Sequence, residues 1–169
     1  QNYGLWSCVK HFPGHGDTRV DSHLDLPIID SSLEALEIHL APFRAAIKKG
    51  VQGVMSSHIL FPGYEKEHLP ATMSRAILTE LLKEELGFTG LVFSDCMEMK
   101  AIKNHYGTEE GSLLAVQAGV DLVCISHHVD LSLRASSLIA GALESRAIDR
   151  AEFSRSTEKI LAAKQRLSS

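Results

Sequence analysis

Three observations predict an α/β fold of four parallel βα units. Short apolar runs alternate with longer segments of 3.6-residue periodicity, giving the order β-α-β-α-β-α-β-α-α. Glycines punctuate the helical segments: Gly50, Gly87 and Gly119 follow the first three. Reactive residues fall where strands end, with His11, His58, Asp95 and Ser126-His127 each closing an apolar run. Strands separated by helical crossovers pair in parallel, and ligands bind at the carboxyl edge of such sheets.

Leu5 to His11 reads as a buried strand. Ser32 to Lys49 is the first helix, with Leu33, Leu36, Leu40, Phe43, Ala46 and Ile47 on one face. Val51 to His58 is the second strand. Thr72 to Leu86 is the second helix, its apolar face formed by Ile77, Leu78, Leu81, Leu82 and Leu86. Gly90 to Asp95 is the third strand, Glu109 to Ala118 the third helix and Val120 to Ser126 the fourth strand. Leu131 to Leu143 and Arg150 to Arg166 are closing helices. No linker or low-complexity segment divides residues 1–169, which read as a single partial domain. Four βα units are half of a (β/α)8 barrel.

At 169 residues, 44 % hydrophobic and 22 % charged, the composition is that of an ordinary soluble domain. A formal charge of −4 provides no basic stripe for nucleic acid. No apolar run reaches the roughly 18 residues that a membrane span requires. Cys8, Cys96 and Cys124 lie beside or within strand-like runs and read as small buried hydrophobes, which favours a reducing, cytoplasmic compartment, with secretion as the alternative. Starting at Gln1 in what reads as domain interior, the chain is expected to be a fragment or processed product.

Residues 10–23, KHFPGHGDTRVDSH, concentrate a lysine, three histidines and two aspartates around a Pro-Gly turn. Two chemistries compete for them. His11, His15, Asp17, Asp21 and His23 offer nitrogen and oxygen ligands, but they lie in a loop, without His-Glu-x-x-His or a second ligand cluster. The acid/base reading needs fewer groups. In Asp21-Ser22-His23, extended backbone puts the carboxylate and imidazole on one side, where the carboxylate fixes the tautomer and favours the protonated ring. Asp95 supplies a carboxyl from another strand end. A proton donor facing a carboxylate nucleophile is the arrangement for retaining glycoside hydrolysis.

Residues 10–23 resemble the signature of family 3 glycoside hydrolases of the β-N-acetylglucosaminidase type. Residues 93–99, FSDCMEM, resemble that family's nucleophile segment, and residues 55–62 and 86–90 are similar to its motifs in the same order. The similarity runs from about Trp6 to Leu167 and covers the second half of the catalytic barrel. It implies Asp95 as nucleophile, His23 as acid/base with Asp21 as its partner, and Lys10 and His11 as ligands of sugar hydroxyls. His58 is expected to line the substrate site. The resemblance also implies a terminal β-linked N-acetylglucosamine substrate, as on peptidoglycan fragments, and no metal or organic cofactor. Some relatives use phosphate as acceptor, so a phosphorylase is the alternative enzyme; a half-barrel that only binds sugar or assembles is the non-enzymatic one. Cys96 stands where many relatives carry aspartate. Open edges and an uncovered inner face predict a missing N-terminal half or self-association.

The remaining polar residues are expected to matter less. His15 and Asp17 shape the loop, Met97 and Met99 pack, and Glu98 lies at the site rim or in solvent. His127 and His128 sit at the correct edge but belong to no motif. His39, His68 and His105 read as surface residues.

Overall fold

A computed structural model describes residues 5–15, 26–29 and 33–167. Strands β1 (Cys8–Phe12), β2 (Gly53–Ser56), β3 (Leu91–Cys96) and β4 (Leu122–Cys124) form one sheet in the order β1-β2-β3-β4. Every neighbouring pair is parallel. The helices are α1 (Leu33–Lys48), a single turn α2 (Lys100–Lys103), α3 (Thr108–Ala118), α4 (Val129–Glu144) and α5 (Arg150–Leu167). The expected α/β class with four parallel strands is therefore observed. None of the described helices is long and apolar enough to cross a membrane.

Alternation along the strands gives the sheet two unlike faces. Val9, Val54, Val92 and Val123 point toward the helices and pack with Leu40, Phe43, Ile77, Leu78, Leu82, Ala115 and Ala118. Phe12 anchors the end of β1 in this core, its ring edge-on to Phe43 at 5.1 Å and 88°. Cys8, Lys10, Met55, Phe93, Leu122 and Cys124 occupy the other face, where none of the six is fully buried. Gly53 belongs to that face too; a Cβ there would stand 3.0 Å from the Phe93 ring and 3.2 Å from Cys8.

The cysteines correct an expectation. Cys8 is exposed, and Cys96 and Cys124 are only partly buried. Apolar flanking sequence identifies a strand, but Cys8 and Cys124 lie on the face that the helices leave uncovered.

The segment expected as one helix over Thr72 to Leu86 is divided. A 3-10 turn, Ala71–Met73, precedes a π-helix, Ala76–Glu85, whose buried side chains include Ile77, Leu78, Leu81 and Leu82. Its wider i→i+5 ladder continues into the Leu86 N–H, which bonds to the Leu81 carbonyl at 2.9 Å. The interruption has a cause in Ser74: its hydroxyl donates to Glu65 and accepts the Ile77 N–H at 3.2 Å. Such side-chain bonding competes with helix continuation and favours a fresh start.

Helix α3 approaches this region so closely that only glycine fits at position 111. A Cβ there would stand 2.7 Å from Ile102 and 2.8 Å from Met73. Gly111→Ala is expected to cost about 1–3 kcal/mol through overpacking, as read by urea denaturation. An unchanged midpoint would mean that the α3 contact relaxes freely.

A cavity of about 820 Å³ lies where α5 crosses the π-helix and the end of α3. Several of the charged groups in its walls are engaged with one another or with backbone. Arg75 binds Glu152 at 2.7 Å, Lys159 binds Asp121 at 2.5 Å, and Lys83 donates to the Gly119 carbonyl at 2.6 Å. We read it as the seam that holds α5, remote from the chemistry at the sheet's carboxyl edge.

Candidate active site

Asp95 is the penultimate residue of β3, at the carboxyl edge of the sheet. The register between β1 and β2 skips His11, since Lys10 lies opposite Met55 and Phe12 opposite Ser56. That irregularity leaves Lys10 exposed and brings His11 toward β3, while Phe12 enters the core. His11 Nε2 reaches Asp95 Oδ2 at 3.2 Å, with both side chains about a quarter exposed. The other carboxylate oxygen, Oδ1, accepts the N–H of Cys96 at 2.8 Å.

These contacts decide the charge of Asp95. Burial alone pushes its carboxyl upward. The His11 hydrogen bond, the Cys96 N–H and the attraction of the His58 and His11 rings outweigh that effect and hold it at about 2. At neutral pH Asp95 is an ionised, oriented and accessible carboxylate, the state that a nucleophile requires.

His58 departs from the expected role. It is 1 % exposed. Its Nε2 donates to the Cys96 carbonyl at 3.0 Å, and its Nδ1 contacts the Thr72 hydroxyl at 2.9 Å. Thr72 in turn donates to the Ser57 carbonyl at 2.9 Å and meets the Ser56 hydroxyl at 2.8 Å. The position just after β2 is as expected, and the buried ring holds the carbonyl of Cys96, the residue that follows Asp95. Thr72 had no signal in sequence, because it fell inside an expected helix.

Glu98, expected at the site rim or in solvent, lies at the junction of two loops. Only 6 % of its side chain is exposed. Oε2 accepts the backbone N–H groups of Ser126 and His127 at 2.6 and 2.7 Å, and Oε1 meets His128 Nδ1 at 2.5 Å. Burial pushes Glu98 up, but the His128 bond, the two backbone donors and the His127 ring together hold it at about 2. It ties the loop after β3 to the loop after β4. Ser94 reinforces this junction by accepting the Cys124 N–H at 2.8 Å.

His15 contacts the His11 ring, with centroids 5.5 Å apart. Gly14 rests against His39, so close that a Cβ would stand 2.7 Å from that side chain. His39 thus supports the Pro-Gly turn instead of standing free on the surface. Asp17, Asp21 and His23 lie outside the described residues.

A parallel sheet whose carboxyl edge presents an ionised carboxylate held by histidine defines the class: an α/β scaffold with reactive groups at the edge where such folds bind ligands. The model for the glycosyl hydrolase family 3 N-terminal domain matches residues 1–163, and the chain belongs to that family. It is similar to the solved glycoside hydrolase family 3 β-N-acetylglucosaminidase from Paenibacillus sp. str. FPU-7, with 46 % identity and a TM-score of 0.96 over 99 % of this chain and 32 % of that one. Beta-hexosaminidase A of Pseudoalteromonas piscicida is 32 % identical over 97 % of this chain and 30 % of its own length. A beta-hexosaminidase of Neisseria gonorrhoeae (strain ATCC 700825 / FA 1090) is 39 % identical over 76 % of this chain and 35 % of its own. The chain spans about a third of the length of these relatives.

Proposed function

We propose that this chain supplies the nucleophile half of a retaining β-N-acetylglucosaminidase acting on terminal β-linked N-acetylglucosamine, as in peptidoglycan fragments. The observation that carries the reading is the ionised Asp95 carboxylate at the sheet edge, bound to His11. Asp95 attacks the anomeric carbon and forms a glycosyl-enzyme ester. His23, held as imidazolium by Asp21, protonates the departing oxygen. The neutral imidazole then takes a proton from water, which cleaves the ester and releases sugar with its β configuration retained. Lys10 and His11 hold the sugar hydroxyls. The relatives' names support hydrolysis above transfer to phosphate.

The proposal includes a covering half. β1 and β4 are both edges of the four-stranded sheet, and among the described residues the face bearing Met55, Phe93 and Leu122 is not fully buried. Burying apolar surface contributes about 25 cal/mol per Å², so the chain acts joined to, or assembled with, a barrel half that closes over this face. The free thiols favour a reducing, cytoplasmic setting.

Turnover of a chromogenic β-N-acetylglucosaminide by the chain alone and by an N-terminally extended form tests the reading. Activity is expected in the extended form, with free N-acetylglucosamine as product whether or not phosphate is present. A sugar 1-phosphate as main product would make the protein a phosphorylase; no turnover in either form would leave a binding module. In the active form, His23→Ala is expected to slow substrates with poor leaving groups far more than activated aryl glycosides, since only the former need protonation. Equal losses would remove His23 from proton transfer.

A further inference from the structure

We infer that Cys96, Glu98 and His127 form a binding site for a zinc-class divalent cation at the rim of the sheet edge, next to Asp95. One ligand atom from each, the Cys96 Sγ, a Glu98 carboxylate oxygen and a His127 ring nitrogen, lies within 4.8 Å of the other two. Glu98 Oε2 is 3.3 Å from His127 Nδ1 and 3.8 Å from Cys96 Sγ. In tetrahedral zinc sites, bonds of about 2.0–2.3 Å place neighbouring ligand atoms roughly 3.3–3.6 Å apart. Two edges of the tetrahedron are thus within a few tenths of an ångström of their required length. The third closes by rotation of His127, whose side chain is 73 % exposed.

The donor set selects the metal. One thiolate, one imidazole and one carboxylate suit zinc and similar transition ions, and they do not suit magnesium or calcium, which take oxygen ligands. Glu98 is already fixed from outside the cluster by His128 at Oε1 and by the Ser126 and His127 N–H groups. Such supporting bonds orient a ligating carboxylate before the metal arrives. On binding, the Cys96 thiol proton leaves to solvent and the Nδ1 proton of His127 is replaced by the metal, with Nε2 holding the ring's proton. A water completes the coordination. This cluster is distinct from the histidine-rich loop that the sequence offers for a metal: His11 of that loop is committed to Asp95. A bound cation would clamp the loop after β3 to the loop after β4.

Cobalt(II) titration of the full chain under reducing, oxygen-free conditions tests the site without recourse to activity. One cobalt per chain is expected, with tetrahedral visible bands and a near-ultraviolet thiolate-to-metal absorption, reversed by zinc. Cys96→Ser should abolish the thiolate band, and His127→Ala should weaken binding about tenfold or more. Cys8→Ser and Cys124→Ser should leave both spectrum and affinity intact. The His127 ring is exposed, so that variant decides the matter even where Cys96→Ser folds poorly. The proposal is overturned by the absence of a thiolate band at millimolar cobalt. It is equally overturned by a band that survives Cys96→Ser or by unchanged affinity in His127→Ala.

Discussion

Asp95→Asn is expected to reduce turnover in the N-terminally extended, active form by about 10⁴-fold or more while sugar binding persists. Asparagine keeps the size of the side chain and can still accept the Cys96 N–H, so the fold is not at stake. It has lost the negative charge and the nucleophilic oxygen. In the proposed mechanism the carboxylate that His11 orients forms a covalent bond in the first chemical step, for which no neighbouring hydrogen bond could substitute. Rates on a chromogenic glycoside beside titration with N-acetylglucosamine separate the two effects. A variant with ordinary kcat would exclude Asp95 as nucleophile.

The second large effect concerns stability. Asp121→Ala is expected to destabilise the fold by about 3–5 kcal/mol, measured by chemical denaturation. Asp121 stands just before β4 with its side chain fully buried. One oxygen accepts the Val92 N–H at 2.8 Å and Lys159 Nζ at 2.5 Å; the other accepts the Ser156 hydroxyl at 2.5 Å. This carboxylate joins β3, the entry to β4 and α5. Alanine removes the acceptor of the Val92 N–H and the Ser156 hydroxyl, and it leaves the partly buried Lys159 ammonium with the Gly90 carbonyl but no counter-charge. Loss below about 1 kcal/mol would show that water replaces these bonds without penalty.

How the fold was legible in sequence is clearest at its errors. The alternation of apolar runs and helical faces placed all four strands within a few residues, because burial against helices imposes apolar residues such as Val54 and Val92. The same pattern could not distinguish one α-helix over Thr72 to Leu86 from a turn followed by a π-helix. Ile77, Leu78, Leu81 and Leu82 share a face in either winding, and the deciding contact, Ser74 with Glu65, is tertiary. The cysteines were misjudged for a related reason. Strand periodicity tells which residues share a face, but not which face remains uncovered.

The candidate site was legible by position more than by contact. Strand ends identified His11, His58 and Asp95, and the structure does bring His11 onto Asp95. Whether a strand-end histidine points over or under the sheet depends on the element that supplies its partner. For His58 that partner is Thr72, reached across 14 residues. The link from Glu98 to His127 and His128 had no signal in sequence, because it depends on the spacing of two loops, with partners 29 and 30 residues apart.

The central claim, that Asp95 becomes covalently linked to the sugar, is tested most directly by trapping that intermediate. The active, extended form is incubated with 5-fluoro-N-acetylglucosaminyl fluoride, and its peptides are mapped by mass spectrometry. Time-dependent inactivation is expected, with the fluorosugar on Asp95 and none on Asp95→Asn. A label on Glu98, or turnover that releases α-configured sugar without any label, would contradict it.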